Sequence, residues 1–223
     1  MPMKLAGLQY WKWLCMALLT YTIVRGLKME VPELPILHQS IRNLYFHVTI
    51  WFAMIILMAA SIYYGVRYLR TNDLNYDLLA SSCINTGILT GLLGLLTGSL
   101  WAKNTWGAWW VNDAKLNGAA AAMLVYLAYI VLRGSIDDHY KRARVASVYS
   151  IFAFTMMLTF IMILPRLTDS LHPGNGGNPG FSNYDLDSNM RTVFYPAVIG
   201  WTLLGAWITE LEFKIRKHSL DKS

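Results

Sequence analysis

Trp101, Trp106, Trp109 and Trp110 crowd into the segment WAKNTWGAWW, which places four of the chain's nine tryptophans within ten residues. Tryptophan is common at membrane–water interfaces, because its ring accepts the headgroup region and its N–H finds a partner there. A simple aromatic belt does not need this density. Gly107 and Ala108 leave space between the rings. If the segment lies as an interfacial helix, Trp106, Trp109 and Trp110 share one face at i, i+3 and i+4 and could stack a flat aromatic molecule. Spacing alone leaves ligand platform and membrane anchor equally open. Two histidines add metal chemistry: His47 in NLYFHVTIWFAM and His172 in RLTDSLHPG. A lone interfacial imidazole is usually a polar tip. Two neutral imidazoles at one depth beside a tryptophan surface are what bis-imidazole iron requires, with the rings approaching a porphyrin from opposite faces at ~2 Å. His38 lies in a polar loop on the same side, and His139 and His218 read as surface residues of the other side.

The elements that must position these groups are membrane spans. The chain of 223 residues is 55% hydrophobic and 14% charged, against ~25% charged in soluble domains. Apolar stretches run from about Leu5 to Val24, Leu44 to Val66, Leu78 to Leu100, Leu116 to Leu132, Val145 to Leu164 and Thr192 to Thr209. Each can cross ~30 Å of hydrocarbon as a helix. The expected architecture is therefore all-α and polytopic, one membrane domain over residues 1–223 with six transmembrane helices. No length remains for a Rossmann or barrel domain.

Six spans put both ends on one side. With the N-terminus inside, twelve of the 19 Lys and Arg residues lie inside and seven outside. The positive-inside rule then makes both termini cytoplasmic, with the cluster Lys141-Arg142-Ala143-Arg144 in a short inner loop. The net charge of +6 is accounted for by these membrane-loop charges, and no nucleic-acid partner is needed. Three loops face outward, at about 25–43, 101–115 and 165–191. The last contains HPGNGGNPGFSN and reads as a flexible flap. Cys15 and Cys83 fall within apolar segments and read as packing or lipid-facing residues.

The segment WGAWWVNDAKL resembles the tryptophan-rich signature W-G-x-W-W-x-W-D-x-R-L of the CcmC family, haem-handling proteins of cytochrome c maturation. YFHVTIWFAM is similar to that family's Y-x-H-V-P motif, and SLHP to its T-L-H-Q/P motif. Together with length and span number, the resemblance covers essentially the whole chain. The sequence departs from the pattern at Asn112, where a Trp is usual, at Thr49 for Pro, at Lys115 for Arg, and at Thr168-Asp169 for a tryptophan pair.

The resemblance implies that His47 and His172 are axial ligands of haem b, and that Trp106, Gly107, Trp109, Trp110 and Asp113 form its platform. It implies a multi-pass protein of the bacterial inner membrane that presents haem on the periplasmic side to the haem chaperone CcmE and works with the ABC transporter subunits CcmA and CcmB. Haem propionates at a membrane surface favour cations. The outer candidates are Arg42, Lys103, Lys115, Arg166 and Arg191, with Arg42 and Arg166 preferred because each shortly precedes a histidine. Asp113 is also placed to cap the fourth span. Gly87, Gly91, Gly94 and Gly98 form a small-residue stripe suited to close helix packing. The chain holds no phosphate-binding glycine motif and no acid/base pair, so a delivery component is expected more than an enzyme. A cytochrome c synthase subunit with the same tryptophan motif, or a b-type membrane cytochrome for electron transfer, are the alternatives.

Overall fold

The computed structural model describes residues 10–34, 37–172, 181, 186–220 and 222; most of the glycine-rich flap lies outside them. All regular structure among the described residues is helical. α1 (Tyr10–Lys28) is followed by a 3-10 segment (His38–Tyr45), α2 (His47–Thr71), α3 (Leu74–Trp106) and α4 (Ala114–Gly134). α5 (His139–Leu158) continues through a π turn (Thr159–Ile163) into the short α6 (Leu164–Leu167), and α7 (Ser188–Leu220) follows. Among the described residues, five rods are long and apolar enough to cross a membrane: His38–Thr71, Leu74–Trp106, Ala114–Gly134, His139–Leu167 and Ser188–Leu220. Outward side chains such as Leu124 and Val131 match a lipid surround. The protein is a polytopic helical membrane protein.

α1 is 19 residues long and carries Lys12 and Arg25. It attaches along α7 through polar as well as apolar contacts. Lys12 pairs with Glu210 at 3.1 Å, Trp11 meets Trp207 edge-on at 6.2 Å, and the Cys15 thiol donates to the Gly200 carbonyl at 3.6 Å. Both cysteines are buried packing residues.

The helix ends follow from local sequence. Asn72 in the left-handed region (φ 53°) closes α2, and Asp73 caps α3 by accepting the Asn75 N–H. α2 and α3 thus form a tight hairpin. Their close contact depends on the glycine stripe: a Cβ on Gly87 would meet Met58 Cε at 2.5 Å, one on Gly94 the Trp51 ring at 2.7 Å, and one on Gly98 the His47 ring at 2.6 Å. Gly91 gives the same close approach to Met54 and Met123. Met54, Met58, Ile84, Met123, Tyr126 and Met157 fill the core between α2, α3, α4 and α5.

The π turn precedes Pro165, which lacks an N–H and whose ring would collide with the carbonyl four residues back in a regular helix. The wider turn resolves that collision. It brings the Phe160 carbonyl directly against Gly118 of α4, where any side chain would strike it.

At the end away from His47 and His172, Arg133 of α4 donates to both oxygens of Asp77 of α3, at 2.7 and 2.5 Å. Removing one partner of a buried pair strands the other charge, at ~3–5 kcal/mol, whereas an apolar pair of similar volume is often neutral. Asp77→Ala is therefore expected to lower thermal stability in detergent sharply, with most of the loss recovered in Asp77→Leu/Arg133→Leu. An Asp77→Ala protein melting with the unaltered one would show that the pair does not clamp these helices.

Candidate functional site

The antiparallel run of helices brings the C-terminal ends of α1, α3 and α6 and the N-terminal ends of α2, α4 and α7 to one end of the bundle. The three segments expected to share a membrane face meet there. A cluster of Met29, Leu34, Ile41, Tyr45, Leu186, Met190 and Phe194 consolidates this end. Arg42 ties it together by donating to the Gly26 carbonyl at 2.9 Å and to Gln39 at 2.9 Å. Arg191 donates to the carbonyls of Leu186 and Phe181, each at 2.9 Å.

His47 opens α2, and His172 lies just beyond α6. Both rings line the same cavity, together with Trp51, Trp101, Trp110, Lys115 and Arg166. The remaining wall is largely aliphatic and aromatic, and no Asp or Glu among the described residues lines it. Two cations and two imidazoles in a mainly apolar cleft suit a ligand with a broad apolar body and anionic substituents.

The hydrogen bonds fix which nitrogen of each imidazole is available. His172 Nδ1 lies 2.9 Å from Asp113 Oδ1. An ionised carboxylate only accepts, so Nδ1 carries the proton and Nε2 presents a lone pair. Burial of Asp113 would push its pKa up. The hydrogen bonds from His172, the Leu171 N–H and the Ser170 hydroxyl outweigh that effect and hold the carboxyl well below the usual carboxylate range. His47 Nδ1 lies 3.1 Å from Thr97 Oγ1. Thr97 spends its single hydroxyl proton on the backbone carbonyls of Leu93 at 2.8 Å and Gly94 at 3.1 Å. With that proton on either carbonyl, Thr97 accepts from His47 Nδ1, the tautomer that leaves the Nε2 lone pair for a ligand.

Asp113 caps α4, as one reading of the sequence had it; it does not line the cavity as a platform residue would, and it takes a second duty that the sequence did not show. Oδ1 caps α4 by accepting the N–H groups of Lys115 at 2.9 Å and Leu116 at 3.2 Å. Oδ2 accepts from the Ser170 hydroxyl at 2.8 Å and the Leu171 N–H at 2.7 Å. One buried carboxylate thereby anchors the start of α4 and the backbone that carries His172.

The tryptophans are arranged differently from a shared helical face. α3 continues through Trp101 to Trp106 and ends at Gly107, whose φ of +80° turns the chain out of the helix. Lys103 donates to the Gly107 carbonyl at 2.9 Å and fixes that turn. The Trp101 and Trp106 rings lie 5.0 Å apart and pack against His172 at 5.8 and 5.0 Å. Trp110 reaches the cavity, whereas Trp109 points outward, 58% exposed. Trp110 Nε1 donates to Asn117 at 3.2 Å, and Asn117 donates to Asn112 at 2.8 Å. The departure at Asn112 thus belongs to a side-chain chain that orients Trp110.

Among the sequence candidates, His47, His172, Trp110, Lys115 and Arg166 line the cavity, and Trp106 and Asp113 support the His172 side from behind. Gly107 shapes the turn. Arg42 is engaged with Gly26 and Gln39 and is not among the lining residues. Trp51, Thr97 and Trp101 enter the site unforeseen. Trp51 had a visible signal, since it lies one helical turn after His47.

Comparison with known proteins follows the same lines. The family model described as "CcmC: Heme exporter protein C" matches residues 3–220. The "Heme exporter protein C" of Escherichia coli strain K12 is 27% identical over 180 residues, 78% of this chain and 69% of that protein. The protein of the same name from Bradyrhizobium diazoefficiens is 31% identical over 129 residues, 57% of this chain and 48% of its own length. "Cytochrome c biogenesis protein CcsA" of Prochlorococcus marinus strain NATL1A is 30% identical over 94 residues, 42% of this chain and 30% of that protein.

Proposed function

This chain belongs to the CcmC family, and on that premise we propose that it handles haem in cytochrome c biogenesis, holding haem b between His47 and His172. It presents the haem at the periplasmic face of the bacterial inner membrane to the chaperone CcmE, in company with the ABC transporter subunits CcmA and CcmB. The observation that carries this reading is the shared apolar cavity, with the two imidazoles on its wall, their Nε2 lone pairs available and no acidic side chain among its described lining residues. No group of three or more His, Cys, Asp or Glu side chains placed to hold a metal ion occurs among the described residues. A two-histidine donor set suits a metal whose remaining ligands come from a macrocycle.

Bound haem would supply an iron centre and two carboxylates. His47 and His172 would ligate the iron, with Trp101 and Trp106 holding the His172 ring in place. Lys115 and Arg166 would offset the carboxylate charge, and the aliphatic wall would exclude water. Trp109, exposed beside the cavity, is available to a docking partner. The 12 to 7 distribution of basic residues supports the periplasmic orientation, and a reporter fused at about residue 108 that reads as cytoplasmic would reverse it.

Co-purification from cells expressing the chaperone tests the whole reading. The unaltered protein should carry low-spin haem and retain haem-bearing chaperone. Trp109→Ala/Trp110→Ala removes stacking worth ~1–3 kcal/mol per ring, by analogy with bases on aromatic side chains, and leaves both histidines in place. The chaperone complex is expected to fall several-fold more than haem content. A normal yield of complex would return these tryptophans to a membrane-belt role.

A further inference from the structure

The two imidazoles have chemically different partners behind them. His172 Nδ1 donates to Asp113, an ionised carboxylate with a wholly buried side chain. His47 Nδ1 has as its side-chain partner the Thr97 hydroxyl, a neutral group at 3.1 Å. A carboxylate acceptor pulls the Nδ1 proton away from the ring and makes Nε2 a stronger electron donor, giving it partial imidazolate character. A hydroxyl whose own proton is already committed to main-chain carbonyls does this only weakly. The backbone settings differ in the same sense. The His172 segment is held by three hydrogen bonds to one carboxylate, from Ser170, Leu171 and the ring itself, whereas the His47 ring rests on the Gly98 notch with one side-chain partner.

Resting on the reading of the site as a bis-histidine haem site, we infer that Asp113 and Thr97 are positioning residues that make the two axial ligands unequal. His172 is the strong, anchoring ligand, and His47 is the weaker one. The inequality serves delivery. Two equally strong ligands would retain haem, and two weak ones would not hold it until a partner docks. A stronger axial donor also favours ferric over ferrous iron, so Asp113 sets the redox preference of the site while Thr97 contributes little.

The test is the midpoint potential of haem bound to the full chain in detergent. Asp113→Asn keeps a good helix cap and replaces the anionic acceptor with a neutral amide. It is expected to shift the ferrous-to-ferric ratio about tenfold toward ferrous, ~59 mV upward for one electron, with the bis-imidazole spectrum retained. Thr97→Val is expected to shift that ratio less than threefold, and Thr97→Ser to restore it. Equal shifts in Asp113→Asn and Thr97→Val, or none in Asp113→Asn, overturn the inference while leaving the haem site intact.

The unaltered ferric protein gives a second measurement that needs no variant. Its two axial nitrogens should show unequal hyperfine couplings, and equal couplings overturn the inference. Absence of a bis-imidazole spectrum from the unaltered protein after haem loading would instead overturn the reading of the site itself, and this inference with it.

Discussion

Replacing either His47 or His172 by Ala is expected to abolish the low-spin haem spectrum, because in the proposed site each ring would ligate the iron and no third imidazole stands among the described residues of the cavity wall. Haem content should separate the two variants. His47→Ala leaves the Asp113-supported ring in place and should retain a five-coordinate, high-spin fraction that added imidazole returns to low spin. His172→Ala should lose haem at least tenfold more completely, within the 10- to 100-fold range by which support of a metal ligand commonly changes affinity. Haem content by pyridine haemochrome and the visible spectrum of the purified proteins measure both. Normal spectra in the two variants would remove these residues from the ligand role.

The second large effect is expected from a residue that touches no ligand. Gly98 of α3 faces the His47 ring so closely that an added Cβ would lie 2.6 Å from Cε1. Gly98→Val must push the imidazole away from Thr97 and out of its setting. A displacement on the order of 1 Å at a reacting group can cost about a hundredfold, so haem retention should fall as far as in His47→Ala. Gly87→Ala is the matched comparison. Its Cβ would meet the terminal methyl of Met58, a flexible side chain that can move aside, so the spectrum should survive with a modest loss of thermal stability. If Gly98→Val binds haem normally, His47 is not held by this notch.

Much of this site was legible because it is written in residue types that membrane spans use sparingly. His47, His172 and the tryptophan run stood out against an apolar background, and span counting alone placed them at one end of the bundle. The contacts that make the site specific were less visible. Thr97 reads as an ordinary helical threonine, and only the crossing of α2 on the glycine stripe brings it to His47. Lys103-Asn104-Thr105 interrupts the apolar run, so the sequence reads as a loop from Trp101 onward. Yet α3 extends through that polar turn, and Gly107 ends it. For the same reason α7 reaches Leu220 instead of stopping near Thr209. Its charged last turns lower the hydropathy but pair among themselves and with α1, through Lys12 and Lys214 with Glu210 and Arg216 with Glu212. Arg42 was favoured by proximity in sequence to His47. The carbonyl of Gly26 and the side chain of Gln39 claim it instead, and helix packing puts Lys115 on the cavity wall.

The π turn at Thr159–Ile163 has a bearing on how this protein can vary. A regular helix advances about 100° per residue, so one additional residue in a turn resets the angular phase of everything that follows. Ile161, Met162, Pro165 and Arg166 face the cavity in the phase set by that extra residue, and Gly118 supplies the gap into which the displaced carbonyl fits. Substitutions within the turn can be absorbed one side chain at a time. A single-residue deletion cannot: it would swing Arg166 and the approach to His172 by more than a quarter of a revolution, turning a cavity wall toward lipid. The length of this segment is therefore under tighter constraint than its composition, and a change in residue count here would reshape the site more than most changes of residue type.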